Sequence, residues 1–249
     1  MVTLVLLPGM DGTGELFEPF IAALGGEFTV KVVRYPTDEP LGYAELEAFA
    51  RAAVPTEGPF VLVGESFSGP IAVALAASAS QQLKGLVLCC TFVRNPRPLF
   101  NVLRSLVGFV PVGLAPVGML SRLLLGRFCT AALRAALAKS LAQVAASALR
   151  ARLAAVLAVD MSGKLSAVTV PTLYLRASRD RVVPPSASVL VSQIAPSTRI
   201  VELDAPHCLL QAVPAEAART VRAFVHEVSA VTRPVHPGEA AFAESSTRV

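Results

Sequence analysis

A serine acts as a nucleophile when its backbone lifts the hydroxyl clear of its surroundings and a base stands within reach. The stretch Phe60-Val61-Leu62-Val63-Gly64-Glu65-Ser66-Phe67-Ser68-Gly69 suits the first of these conditions. Its apolar run reads as a buried strand, and Pro70-Ile71-Ala72-Val73-Ala74-Leu75-Ala76 behind it suits a helix. A serine at the sharp turn between the two must adopt a strained conformation, so the residues two before and two after it have to be small. Here those residues are Gly64 and Ser68. The helix starting behind Ser66 would aim free N–H groups and a positive dipole end at negative charge developing there. By itself the motif serves an ordinary strand-to-helix turn equally well, and its fifth position is Ser rather than Gly.

A hydroxyl nucleophile also needs a base, and the base needs a third group that fixes its tautomer and stabilises its cation. The chain has three histidines. His207 follows a strand-like run in Asp204-Ala205-Pro206-His207-Cys208, His226 falls on the surface of the last expected helix, and His236 lies in a polar tail. Sheets of alternating strands and helices build sites in loops at the carboxyl ends of their strands, which selects His207. The same reasoning selects Asp180, just beyond the strand-like Thr172–Ser178, as the acid. Asp180 could instead cap the chain or pair with Arg179 or Arg181. Asp204 is a rival acid because it is close to His207, but on the same strand end it has little freedom to turn onto the outer ring nitrogen. The loop Pro8-Gly9-Met10-Asp11-Gly12-Thr13-Gly14 has two readings. It is a flexible connector, or an oxyanion loop in which Gly9 admits close backbone approach and the Met10 N–H points into the site.

The elements that must position these residues follow from periodicity. Short, continuously apolar runs bounded by turn residues predict buried parallel strands at 3–8, Phe28–Tyr35, the run into Ser66, Leu86–Phe92, 170–178 and Arg199–Leu203. Helices are expected at Leu16–Leu24, Tyr43–Val54, behind Ser66 to about Ser78, Pro185–Ile194 and Ala215–Val228. Strands alternating with helices predict a mainly parallel α/β sheet. The alternation stops between about Arg94 and Asp160, where an Ala/Leu-rich span from Thr130 to Val159 reads as a helical insertion. The chain thus divides into a core of residues 1–92 and 170–230, a helical cap at 93–169 and a flexible tail at 231–249.

Composition narrows the classes. With 249 residues, 53% hydrophobic and 16% charged, the chain can bury a full core, and no Trp takes part in it. The net charge of +4 comes without a basic run interleaved with aromatics, which argues against nucleic acid. Cys89, Cys90, Cys129 and Cys208 have neither paired metal spacing nor disulfide density, so free thiols are expected. The N-terminal apolar run lacks the charged start and cleavage site of a secretory signal and is too short to span a bilayer. A cytoplasmic protein without a transmembrane segment is the expectation.

Ser66, Asp180 and His207 stand in the chain order of the α/β-hydrolase triad, and from Thr3 to about Val228 the sequence resembles that family in its serine esterase form. Pro8–Gly14 is similar to the family's oxyanion loop and Gly64–Gly69 to its nucleophile elbow. Pro171-Thr172-Leu173 through Asp180-Arg181-Val182-Val183-Pro184 is similar to its acid segment, and Pro206-His207 to its histidine. Pro8 stands where the family often has histidine, and Ser68 where it has a second glycine; both keep the needed backbone. The nearest likeness is to small bacterial carboxylesterases and carrier-protein methyl-ester esterases. The resemblance implies a mainly parallel sheet of about six strands, without the family's usual first two, flanked by helices and with a helical cap inserted after the fourth strand. It implies hydrolysis of carboxylic esters with short to medium acyl chains through a serine ester, without cofactor or metal. In that chemistry His207 takes the proton of Ser66, the N–H groups of Met10 and Phe67 hold the oxyanion, and Asp180 stabilises the imidazolium. The same residues would serve a thioesterase or acyltransferase acting on carrier-linked or lipid acyl groups. A non-catalytic ligand-binding protein could keep the fold, although an intact triad argues against it.

One feature of the cap stands outside this scheme. After Glu65 no acidic residue occurs until Asp160, while Lys84, Arg94, Arg97, Arg104, Arg122, Arg127, Arg134, Lys139, Arg150 and Arg152 fall in the interval. A cap that is apolar inside and cationic outside is expected. Its cations are either the solvated face of Ala/Leu helices or an attractor for an anionic carrier or lipid surface. Within it Ser105–Ser121 is nearly uncharged but interrupted by glycine and proline, which suits a pliable acyl-pocket wall better than a membrane span.

Overall fold

The computed structural model describes residues 1–78, 81–99 and 116–230. Among them six strands form one parallel sheet: β1 (Thr3–Leu7), β2 (Thr29–Val32), β3 (Phe60–Glu65), β4 (Leu83–Cys89), β5 (Thr172–Ala177) and β6 (Arg199–Leu203). Their order is β2-β1-β3-β4-β5-β6. The chain runs outward from β1 to β2 and then returns to the other side of β1, so the order reverses between β1 and β3. Loops at the carboxyl ends of strands flanking such a switch point diverge and leave a crevice. The two loops at this one are 8–14 and the turn that carries Ser66.

Helices α1 (Glu18–Leu24), α2 (Tyr43–Ala53) and α3 (Gly69–Ala77) alternate with the first strands. After β4 come α4 (Val117–Leu124), α5 (Ala131–Ala142), α6 (Ala146–Ala158) and α7 (Ser162–Leu165), and the sheet then resumes with α8 (Pro185–Ile194), α9 (Leu209–Ala212) and α10 (Pro214–Ala230). Because side chains alternate along a strand, Leu4 and Leu6 pack with Phe20, Val221 and Phe224 on one face while Val5 and Leu7 pack with Leu46, Ile71 and Val191 on the other. Helix α3 is apolar all round and buried from Gly69 to Ala76, as a helix enclosed behind a central strand must be.

The insertion is tied at its base, where Arg94 pairs with Asp160 at 2.8 Å and the Met161 N–H donates to Val93 O at 2.7 Å. The Thr130–Val159 span folds as two helices bent by 98° at Gln143–Ala145. No residue there breaks a helix by type; the Ala145 N–H instead donates to Thr37 O at 2.8 Å. Of the Ser105–Ser121 stretch, residues 105–115 lie outside the described residues, as does the 231–249 tail.

Two strand boundaries differ from expectation. β2 ends at Val32 rather than Tyr35, because the Tyr35 N–H turns to Gly12 O at 2.8 Å and so joins the loop after β1. β4 spans Leu83–Cys89 rather than Leu86–Phe92, and Cys90 takes φ 46°, which no strand continues.

Candidate active site

Ser66 has φ 48°, the left-handed region that a residue with a Cβ enters only when its surroundings impose it. Those surroundings can be named. A Cβ on Gly64 would lie 2.7 Å from the Ala72 Cβ, so strand β3 and helix α3 approach closely across this glycine. The Thr91 hydroxyl donates to the Ser66 carbonyl, and the Tyr174 hydroxyl donates to Thr91 O at 2.5 Å. Phe67 is buried and stacks on Tyr43 with centroids 4.8 Å apart, while the Tyr43 hydroxyl donates to Phe67 O at 3.0 Å. Ser68, at the fifth position of the motif, donates its hydroxyl proton to Pro8 O and receives that of Tyr35 at 2.8 Å.

The side chain lifted by this turn meets an imidazole. Ser66 Oγ lies 2.8 Å from His207 Nε2, and His207 Nδ1 lies 2.8 Å from Asp180 Oδ2. The other oxygen of Asp180 accepts the N–H groups of Val182 at 2.8 Å and Val183 at 2.9 Å, which fixes the carboxylate's rotation. A carboxylate only accepts, so Nδ1 carries the proton of the neutral ring and Nε2 presents its lone pair to Ser66. His207 is 5% exposed and is anchored from the insertion, since the Cys208 N–H donates to Leu124 O at 3.0 Å.

The two amides expected to hold an oxyanion are those of Phe67 and Met10. Phe67 N–H belongs to the short turn of helix Ser66–Ser68 that opens α3, where amides have no intrahelical acceptor. The Met10 N–H takes no partner among the described residues, whereas Gly9 O accepts from the Gly12 N–H at 3.1 Å. Carbonyl and N–H point in opposite directions across a trans peptide. The Gly9–Met10 peptide therefore turns its N–H away from the loop's own interior.

Residues 4–220 match the model of the alpha/beta hydrolase family. The chain belongs to that family. Among solved structures, a carboxylesterase of the thaumarchaeon Nitrososphaera gargenis superposes with a TM-score of 0.78 at 14% identity, covering 92% of each chain. The enol-lactonase of Burkholderia xenovorans gives 0.73 at 21% identity, over 90% of this chain and 91% of its own. At such identities the likeness is one of fold. A curated relative, phytyl ester synthase 1 of Arabidopsis thaliana chloroplasts, is 36% identical over 111 residues, in a match that covers 41% of this chain and 16% of the plant protein.

Within this alpha/beta hydrolase the rival residues are occupied elsewhere. Asp204 is exposed and bonded to Arg127 at 2.6 Å and Arg179 at 2.5 Å. Arg179, with Arg127 adding to it, holds the Asp204 carboxyl below the usual range. His226 pairs with Glu27 at 2.5 Å on the surface of α10, and His236 lies outside the described residues. Among the described residues no group of three His, Cys, Asp or Glu could hold a metal ion, and the four cysteines are free.

The sequence reasoning missed an inner ring. Glu65, next to Ser66, is buried, and desolvation pushes its pKa up to about 7. Gln211 donates to it at 3.4 Å, a weak contact. The expectation that the cap's cations all lie outside fails at Arg152, which is fully buried. The signal for it was available: Ala148, Arg152 and Val156 recur every four residues on the buried stripe of α6. Ser68 and Thr91 carried no such signal, because their partners lie 60 and 25 residues away in sequence.

Proposed function

We propose that the protein is a serine hydrolase cleaving carboxylic esters with short to medium acyl chains through an acyl-enzyme. The observation that carries this reading is the continuous relay from Ser66 through His207 to Asp180, 2.8 Å at each step, with Ser66 in its strained conformation. As Ser66 Oγ attacks the acyl carbon, its proton moves to His207 Nε2, and the carbonyl electron pair becomes an oxyanion held by the N–H groups of Met10 and Phe67. Collapse breaks the bond to the alcohol oxygen, which leaves with the proton from Nε2. Water repeats the sequence on the acyl-enzyme, releasing the acid and restoring Ser66. Asp180 stabilises the imidazolium in both halves.

A series of activated esters from acetyl to palmitoyl, assayed beside labelling of Ser66 by a fluorophosphonate, tests the proposal. Hydrolysis that peaks at short or medium chains, with the label on Ser66, is the expected result. Absence of both would return the chain to a ligand-binding role.

A second reading, acyl transfer to an alcohol, draws support from the likeness to a plant protein named a phytyl ester synthase. It predicts that a long-chain alcohol added to the ester assay diverts acyl groups from acid to new ester.

The proposal extends to an anionic partner at the cap, narrowed to one place. Arg94, Arg127 and Lys139 are paired with Asp160, Asp204 and Glu15, and Arg152 is buried. Arg122 and Arg134 are without such partners among the described residues and line one cleft of about 620 Å³ with Met119 and Cys129. Steering by such charge fades above ~0.1 M salt, where the Debye length falls to about 10 Å. A carrier-linked or otherwise anionic ester should lose kcat/KM with rising salt in the parent and not in Arg122→Ala/Arg134→Ala. Equal salt dependence in both proteins would remove the partner from the proposal.

A further inference from the structure

Three backbone carbonyls converge on the fully buried guanidinium of Arg152. Nη1 donates to Met10 O at 2.7 Å and Asp11 O at 2.9 Å, and Nη2 donates to Pro36 O at 2.7 Å. The loop after β1 is shaped to receive it. Gly12 has φ +74°, and a Cβ there would stand 2.7 Å from Arg152 Nη1. The ring of Tyr35 lies 5.9 Å from the guanidinium carbon, and Tyr35 N–H donates to Gly12 O. A second residue of the insertion holds the loop's other side: Ser140 of α5 bonds Asp11 Oδ2 at 2.8 Å, and the same oxygen accepts from Thr13 Oγ1 at 2.6 Å.

A buried cation is costly unless its donors are satisfied. Here Nη1 and Nη2 are met by main-chain carbonyls, which any side chains at those positions would supply, while Nε is buried without a partner among the described residues, so the contact specifies backbone orientation. The carbonyls of Met10 and Asp11 are the two that follow the Met10 N–H in the chain. With Gly9 O held by the Gly12 N–H on one side and these carbonyls held by Arg152 on the other, the Met10 amide cannot rotate independently of α6.

We infer that Arg152 is a positioning residue that sets the Met10 N–H for the oxyanion, so that the hole is completed only when the helical insertion is seated on the core. This rests on the reading of Ser66 as the nucleophile. An amide fixed in advance at the developing charge contributes most to the transition state and little to ground-state binding.

The test compares the parent with Arg152→Met, Arg152→Lys and Arg152→Ala in the full chain, using a short-chain p-nitrophenyl ester. Losing one oxyanion donor costs about 10²–10³-fold in kcat, and Arg152→Met should approach that loss with KM changed by less than about threefold. A boronic acid, which forms a tetrahedral anion on the serine, should lose affinity by the same factor, while a non-reacting ether analogue of the ester should bind unchanged. Arg152→Lys, which keeps the cation and most of the volume, should sit between Arg152→Met and the parent, and free guanidinium at low concentration should restore part of the activity of Arg152→Ala. Should Arg152→Met fail to fold, Arg152→Lys decides. A folded Arg152→Lys or Arg152→Met with parental kcat, or activity that falls only with the folded fraction while kcat per labelled site holds, overturns the inference. A parent that hydrolyses no ester, or a Ser66→Ala variant that keeps turnover, defeats instead the reading on which it rests.

Discussion

The hydroxyl of Ser68 donates to the carbonyl of Pro8, so the turn that carries Ser66 is bonded to the loop that carries Met10. The two loops end neighbouring strands, β3 and β1, but nothing in strand pairing fixes their separation beyond Leu7 and Gly64. Ser68 does so, and because its single proton goes to Pro8, the Tyr35 hydroxyl must be the donor in the bond between those two side chains. Burial raises the Tyr35 pKa above the ordinary phenol value, which keeps that donor protonated.

Ser68→Ala should therefore destabilise the protein by about 2 kcal/mol, since it leaves two buried polar groups without partners. It should also slow turnover by about tenfold through misplacement of the Met10 amide. Tyr35→Phe should be milder on both counts, because Ser68 keeps Pro8. Thermal melts and kcat on one short-chain ester decide the ranking, and a harmless Ser68→Ala would make the bond incidental.

Ser66 offers a contrast between strain and chemistry. Removing a triad nucleophile costs on the order of 10⁴-fold or more in turnover, so Ser66→Ala and Ser66→Gly should both be inactive. At φ 48° a Cβ is disfavoured by about 1 kcal/mol relative to glycine. Ser66→Gly should accordingly melt above Ser66→Ala. If the two melt together, the turn stores no strain at this residue.

Asp180 and Asp204 separate on the same logic. An amide at Asp180 leaves His207 in the wrong tautomer and without a countercharge, for a loss of about 10⁴-fold in kcat. Asp204→Asn removes an exposed pairing with Arg127 and Arg179 and should leave kcat within a small factor. Steady-state kinetics of the two variants make the comparison, and the reverse order would transfer the acid to Asp204.

What the sequence disclosed and what it hid divide along a physical line. Ser66, Asp180 and His207 were legible because each sits at the end of a strand whose apolar run could be recognised, and because histidine is scarce in this chain. The six strands were legible for the same reason, apart from ends such as Val32, beyond which Tyr35 turns to Gly12, and Cys89, beyond which Cys90 leaves the extended conformation. The role of Arg152 was not, since the carbonyls it holds, those of Met10 and Asp11, stand some 142 residues earlier in the chain. Local pattern could place it on a buried stripe, but only the docking of α6 on the loop after β1 gives that burial a purpose.

Glu65 gives the last prediction a direction in pH. Burial is the largest effect on its carboxyl and raises the pKa from 4.5 to about 7, against the contact with Gln211, which favours the charge, and in the same direction as Asp11, which opposes it. Below pH 4.5 the group is protonated in folded and unfolded chains alike, and it contributes no pH dependence. Between 4.5 and about 7 the unfolded chain has released the proton while the folded chain keeps it, so the stability of the fold declines as pH rises through that window and levels off above it. The shift corresponds to a change on the order of 3 kcal/mol. Glu65→Gln keeps the shape and the contact with Gln211 but has no proton to lose. Its urea midpoint should therefore fall less than the parent's between pH 5 and pH 8, and the gap between the two proteins should widen toward the alkaline end. Parallel midpoints across that range would mean that Glu65 is ionised in the folded protein from the start.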